Sequence, residues 1–183
     1  MPDLETIAAR TVAVLADCHI HPGGGPDWTD PVLRAVEGCD LILTLGDMGE
    51  SAGLDRLAQI APVVGVAGAD DRPDPRTSPR LRRLQIGGLA LGCVFDAQAA
   101  GLAASADPFQ PAADFPQALA RAFGGPVEAL LYASTHKPAA AEFGGVWAVN
   151  PGSALLPGEG AKPTFARLSV DAGRLRPEIV TLG

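Results

Sequence analysis

Positive charge, cysteine pairs, aromatic residues and long apolar runs are all scarce in this chain. Its 14 Lys and Arg stand against 21 Asp and Glu, for a formal charge of −7. A surface of that sign lacks the field that draws nucleic acid or an anionic membrane, so neither is an expected partner. No apolar run approaches the roughly 20 residues that a membrane-spanning helix needs. The start, Met1-Pro2-Asp3-Leu4-Glu5, lacks the basic-then-apolar order of a secretion signal, and the expected location is cytoplasmic. The three cysteines, Cys18, Cys39 and Cys93, form no C-x-x-C pair. That excludes a disulfide framework and a zinc knuckle, and leaves them as small buried hydrophobes.

What is present suffices for a core. Of 183 residues, 47% are hydrophobic and 19% charged, which suits one globular domain spanning residues 1–183. The first half alternates apolar strand-like runs with helix-like segments. Thr11 to Ala16 leads into Asp17-Cys18-His19 and a Gly-Pro-rich loop, His21 to Asp27. A helix capped by Thr29 or Asp30, with Pro31 in its first turn, follows to about Glu37. Leu41 to Leu45 ends at Gly46-Asp47, a helix is expected over Ser51 to Ile60, and Val63 to Ala67 ends at Gly68-Ala69-Asp70-Asp71. Such apolar strands between helices imply parallel pairing with both sheet faces covered.

The pattern then changes. Leu81 to Ile86 and Leu89 to Phe95 flank Gly87-Gly88, a two-residue hairpin signal. Gln98 to Pro111, rich in Ala, Pro and Asp, reads as a loop, and Phe115 to Phe123 as a helix. Ala129 to Tyr132 is a strand ending at Ala133-Ser134-Thr135-His136, and Val146 to Val149 runs into Asn150-Pro151-Gly152-Ser153. Strands over Thr164 to Val170 and Leu175 to Thr181 close the chain around the turn Asp171-Ala172-Gly173.

Ligands of open α/β sheets sit beyond the carboxyl ends of strands. The chemistry-bearing residues fall there: Asp17 and His19 after the first apolar strand, Asp47 after the second, Asp70 and Asp71 after the third, His136 after a later one. Alone, a D-x-H triplet or a Gly-Asp turn recurs by chance, and strand-end aspartates often cap loops through backbone amides. The ordered set carries the weight. Carboxylates with imidazoles suit Mn, Zn or Fe(II).

In order and spacing these motifs resemble the calcineurin-like metallophosphoesterases of the small bacterial phosphodiesterase type. That family shows D-x-H, G-D, G-N-x-D, H-G-H, G-H-T-H and N-P-G-S. The matching stretches are Asp17-Cys18-His19, Gly46-Asp47, Gly68 to Asp71, Cys93-Val94-Phe95, Ala133 to His136 and Asn150 to Ser153. The resemblance implies an α/β fold, a four-layer α-β-β-α sandwich of two mixed sheets flanked by helices. It also implies hydrolysis of phosphodiesters or phosphomonoesters, a small phosphoester or phosphate-like ligand, and a divalent metal site.

Carried over residue by residue, the first metal's ligands are all kept, as Asp17, His19, Asp47 and His136, with Asp71 as the catalytic candidate. The three non-bridging ligands of the second metal are replaced by Ala69, Cys93 and Ser134. Random decay of a useless site should strike both metals alike, so the pattern implies a retained one-metal site with weakened or altered chemistry. Asp70 and His21 are candidate substitute ligands, and Arg72 a candidate phosphate contact. Between Asp70 and Ile86, Arg72, Arg76, Arg80, Arg82 and Arg83 outnumber Asp70, Asp71 and Asp74. That excess fits a solvated loop better than a phosphate clamp. Gly23 to Gly25 could let a backbone approach an anion, or simply form a flexible loop. The alternative to an enzyme is a silent fold kept as a binding or scaffold module, with a protein partner or a second copy of the chain.

Overall fold

The architecture is that of a computed structural model, which describes residues 4–21 and 27–183. Gly23 to Gly25 lie outside the described residues. The strands are β1 (Leu4–Ile7), β2 (Thr11–Leu15), β3 (Leu41–Thr44), β4 (Val63–Gly65), β5 (Leu81–Ile86), β6 (Leu89–Val94), β7 (Ala103–Ala106), β8 (Phe109–Pro111), β9 (Ala129–Leu131), β10 (Ala139–Phe143), β11 (Val146–Asn150), β12 (Thr164–Asp171) and β13 (Arg174–Thr181). The helices are α1 (Asp30–Val36), α2 (Ser51–Ala58) and α3 (Phe115–Phe123).

Two mixed sheets result. One has five strands in the order β13-β12-β2-β3-β4, the other six in the order β1-β5-β6-β9-β11-β10. Side-chain alternation explains how they stack, since successive residues of a strand face opposite sides. Val12 and Val14 of β2, with Leu41 and Leu43 of β3, meet Leu91, Cys93, Ala129 and Leu131 of the other sheet in one inner core. Ala13, Leu15 and Ile42 point the other way, onto Val32 and Val36 of α1 and Leu54 and Leu57 of α2. Leu130 and Tyr132 turn outward onto Phe115, Leu119 and Phe123 of α3. The layers are therefore helix, sheet, sheet, helix, and strands buried on both faces read as the near-continuous apolar runs of the sequence.

Turn chemistry holds this register. Ala172 and Gly173 between β12 and β13, and Gly87 and Gly88 between β5 and β6, all have positive φ, as two-residue hairpin turns demand. Gly92 is needed for packing, because a Cβ there would lie 2.5 Å from the Phe123 ring.

The structure departs from the sequence reading in three places. The segment Gln98 to Pro111, expected to be a loop, contains the β7–β8 hairpin. Its Phe109 ring lies 4.8 Å from Tyr132 and 5.4 Å from Phe143, so the hairpin is tied to the core by aromatic packing. A β10–β11 hairpin, absent from the sequence reading, turns at Gly144 and Gly145, both at positive φ. The short polar β1 pairs in parallel with β5 at the sheet edge. Among the described residues, no helix is long and apolar enough to cross a membrane.

Candidate metal centre

Topology brings the motif residues to one end of the sandwich. Because β2, β3 and β4 are neighbours running in parallel, the loops after them emerge side by side with Asp17, Asp47 and Asp70. The loop after β9 supplies Ser134 and His136 from the facing sheet. Backbone bonds zip the first two loops together: Asp17 N–H donates to the Gly46 carbonyl at 3.1 Å, and the amides of Cys18 and His19 both donate to the Asp47 carbonyl, at 2.8 and 2.9 Å.

Non-glycine residues at positive φ concentrate here. Asp17, His19, Asp47, Ser134 and His136 all adopt left-handed backbone conformations; outside the site, Ala172 is the one further example among the described residues. Each such residue costs of order 1 kcal/mol and persists only where its surroundings over-determine it. The loops are held in strained shapes that bring Asp17, His19 and His136 into one cluster, with Asp47 beside it through His19.

Asp17 is fully buried, and neither of its carboxylate oxygens has a hydrogen-bond partner among the described residues. Burial drives its pKa up from 3.8 to about 6, with Asp47 adding repulsion, against an opposing pull from His136 and His19. The Asp17 Oδ1 faces the His136 Nε2 at 3.9 Å, and the His19 Nε2 faces the Asp47 Oδ2 at 3.9 Å. The two imidazoles stack with centroids 5.4 Å apart. Ligand atoms of Asp17, His19 and His136 all lie within 4.8 Å of one another. A buried carboxylate without a donor, opposite two imidazole nitrogens too distant to bond to it, is a donor set suited to a divalent cation.

The groups behind these ligands fix their directions. His136 Nδ1 lies 2.7 Å from the Leu156 carbonyl, so Nδ1 carries a proton and the ring is turned with Nε2 facing Asp17. Ser153 Oγ donates to the Asp17 carbonyl at 2.7 Å and accepts from the Leu156 amide at 2.8 Å, which links the Asp17 loop to the backbone that orients His136. Asn150 Nδ2 donates to the Ala133 carbonyl at 3.3 Å and to Thr135 Oγ1 at 3.1 Å. The Asn-Pro-Gly-Ser stretch thus works as a clamp between two ligand loops. Nothing in the sequence singled out Leu156, which contributes only a main-chain carbonyl.

A family model, the calcineurin-like phosphoesterase superfamily domain, matches residues 11–173. The chain belongs to this superfamily. It is 27% identical over 172 residues to a probable metallophosphoesterase of Methanothermobacter thermautotrophicus, covering 94% of this chain and 92% of that one. Among solved structures it is similar to Vps29 of Entamoeba histolytica complexed with zinc, with 22% identity, a TM-score of 0.67, and 94% of this chain and 99% of that one covered. A novel archaeal phosphodiesterase is also similar, at 13% identity and a TM-score of 0.62, over 93% of this chain and 99% of that one. Both structures share the fold.

Against the metallophosphoesterase pattern, the replaced positions have clear surroundings. Ala69 is exposed. Cys93 is fully buried within the inner core, where burial raises its thiol pKa to about 12, so it is a neutral packing group. Ser134 is half-buried beside His136. Of the three, only Cys93 carries a side chain that commonly ligates a metal, and it belongs to no cluster of potential His, Cys, Asp or Glu ligands among the described residues.

Asp71, the catalytic candidate, is engaged elsewhere. Its Oδ1 accepts from the amides of Met48 (2.6 Å) and Gly49 (2.9 Å), and its Oδ2 from those of Asp47 (3.0 Å) and Gly68 (2.7 Å). A carboxylate holding four N–H groups anchors the Asp47 loop and has little capacity left for substrate. Of the candidate substitute ligands, Asp70 accepts from both His19 and His21, and these bonds, the one from His19 foremost, lower its pKa. Arg72 Nε donates to Glu50 at 3.2 Å. Arg76 pairs with Asp74 and Asp55, Arg82 with Glu5, and Arg83 donates to the Pro126 carbonyl, so the local basic excess is mostly spent within the fold.

Glycine is required where the Asp47 and Asp70 loops cross. A Cβ on Gly68 would lie 2.2 Å from Asp47 Oδ1 and 2.3 Å from its backbone nitrogen. Gly68→Ala should therefore displace Asp47, costing about 1–3 kcal/mol of stability by overpacking. It should weaken metal binding at least tenfold, measured by titration against a chromophoric chelator. Unchanged affinity would show that Asp47 is not held from this side.

Proposed function

We propose that this chain is a metal-dependent phosphoester hydrolase of reduced chemistry, a single-domain cytoplasmic protein working with one divalent ion per chain held by Asp17, His19, Asp47 and His136. The observation that carries the reading is Asp17: a fully buried carboxylate with both oxygens unpartnered, facing the His136 Nε2. Such a group is costly unless a cation offsets it. The zinc reported with Entamoeba Vps29, on the same fold, supports zinc as one candidate ion beside Mn and Fe.

When bound, a divalent ion would polarise a phosphoryl oxygen and lower the pKa of a bound water. The chain's own residues then have defined work. Asp17 and Asp47 supply negative charge from two sides, His19 and His136 present neutral imidazole nitrogens, and the Leu156 carbonyl keeps the His136 proton on Nδ1. With the second metal's positions occupied by Ala69, Cys93 and Ser134, charge on the opposite oxygen of the displacement goes unmatched. Each 1.4 kcal/mol so forfeited slows turnover about tenfold. Purified protein with Mn or Zn should hydrolyse a generic aryl phosphodiester slowly, and Asp47→Ala should abolish that rate. No turnover above the Asp47→Ala background would sink the enzymatic reading.

That failure would favour a second reading, supported by the loss of the three second-metal positions and by the likeness to Vps29: a silent metallophosphoesterase fold used as a binding module for a protein partner. Metal analysis of purified protein separates the cases, since one equivalent per chain fits the half-site and two a rebuilt pair.

A further inference from the structure

We propose that Asp70 is the positioning residue of this centre, holding His19 in the tautomer and ring orientation that the metal requires, and is not itself a ligand. The inference rests on the one-metal reading above and names a part that the superfamily pattern leaves open, since Asp70 stands at a position where that pattern specifies no residue.

Asp70 touches both neighbouring ligands. Its backbone N–H donates to Asp47 Oδ1 at 2.8 Å, and its Oδ2 lies 2.8 Å from the His19 Nδ1. The same Oδ2 lies 2.8 Å from the His21 Nε2. A carboxylate in contact with two ring nitrogens accepts from both, so the proton of His19 sits on Nδ1. The lone pair is then on Nε2, the nitrogen that faces Asp47 at 3.9 Å. Carboxylate, histidine and metal in a row is the arrangement that fixes a histidine ligand and raises its basicity.

Geometry argues equally against Asp70 as a ligand of an ion on the His19 Nε2. The two nitrogens of an imidazole direct their bonds away from each other, so a group bonded to Nδ1 lies across the ring from an ion on Nε2. Asp70 accordingly stands outside the cluster of Asp17, His19 and His136, and its own grouping with His19 and His21 is the set in which both rings hydrogen-bond to the Asp70 Oδ2. Asp70 therefore joins the site through its amide on Asp47 and its carboxylate on His19, fixing the spacing of two ligands drawn from different loops. His21 is a further donor to the same oxygen, and its loss leaves the His19 bond in place.

The test uses the full chain and four proteins: wild type, Asp70→Ala, Asp70→Asn and His21→Ala. Zinc affinity is read by competition with a chromophoric chelator, and the Co(II) absorption spectrum reports the number of ligands. Asp70→Ala should weaken zinc binding about 10–100-fold. Its Co(II) band intensity at saturation should match wild type. Asp70→Asn, whose amide oxygen can still accept from Nδ1, should recover much of that loss, and His21→Ala should stay within about threefold of wild type. Wild-type affinity in Asp70→Ala would overturn the inference alone. An equal loss in Asp70→Asn with a changed Co(II) band would overturn it by making Asp70 a ligand. A wild type that binds neither ion would overturn the one-metal reading and this inference together.

Discussion

Asp17→Asn should make the metal-free protein more stable at pH 7 while abolishing its response to metal. The carboxylate is fully buried, its oxygens have no partner among the described residues, and burial holds its pKa near 6, above the unfolded value of 3.8. A raised native pKa means that the folded state binds the extra proton between those two values. Stability from this group is therefore complete below pH 3.8 and is lost as pH rises through about 6. The shift corresponds to about 3 kcal/mol, at 1.36 kcal/mol per unit. Asparagine has nearly the same shape and no charge, so it should return most of that amount, which for a domain of this size is roughly 6 °C or more in Tm.

The same substitution removes a ligand. Wild-type protein should gain about 2.7 kcal/mol when free metal reaches 100 times its Kd, and Asp17→Asn should gain nothing measurable. Urea melts with chelator at pH 4.5 and 7 would show wild type falling with pH and the variant nearly flat. Asp74, whose pKa Arg76 lowers to about 2, works with the opposite sign but only as pH falls below 3.8, outside this window. An Asp17→Asn variant less stable than wild type in chelator at pH 7 would contradict a site designed around a cation.

The sequence made the strands and the expected metal-binding side chains legible for related reasons. Strands buried on both faces have to be apolar throughout, so Thr11–Leu15, Leu41–Thr44 and Ala129–Leu131 stand out, and ligands at their ends inherit a fixed place. Elements whose stability comes from distant partners were harder to see. The β7–β8 hairpin depends on Phe109 finding Phe115, Tyr132 and Phe143, and β1 on pairing with β5, some 80 positions along the chain. The β10–β11 turn was readable at Gly144-Gly145, though β10 itself, Ala-Ala-Ala-Glu-Phe, is poor in the branched residues that mark strands. Main-chain partners such as the Leu156 carbonyl leave no side-chain signature. Asp71 shows the limit most clearly: a strand-end aspartate can serve a ligand or a loop, and only contacts with four amides from two loops decide it.

Asp71→Ala should be the more damaging change, although Asp71 is not among the expected ligands. Removing it orphans the amides of Asp47, Met48, Gly49 and Gly68 together, in a loop crossing where Gly46 and Gly68 leave no room for rearrangement. Each charge-assisted bond contributes about 1.5–3 kcal/mol, and part of the lost set will be replaced by water, so a net loss of about 3–5 kcal/mol is expected. Asparagine should rescue little, because its NH₂ would confront two of the four N–H groups as donor against donor. Metal affinity should fall with stability, since the Asp47 loop loses its anchor and its left-handed turn at Asp47 is no longer over-determined. Urea denaturation of wild type, Asp71→Ala and Asp71→Asn in the presence of chelator measures the structural part without any contribution from metal. A loss under about 1 kcal/mol in Asp71→Ala, joined to lost turnover with metal still bound, would return Asp71 to catalysis and leave the loop anchored by something else.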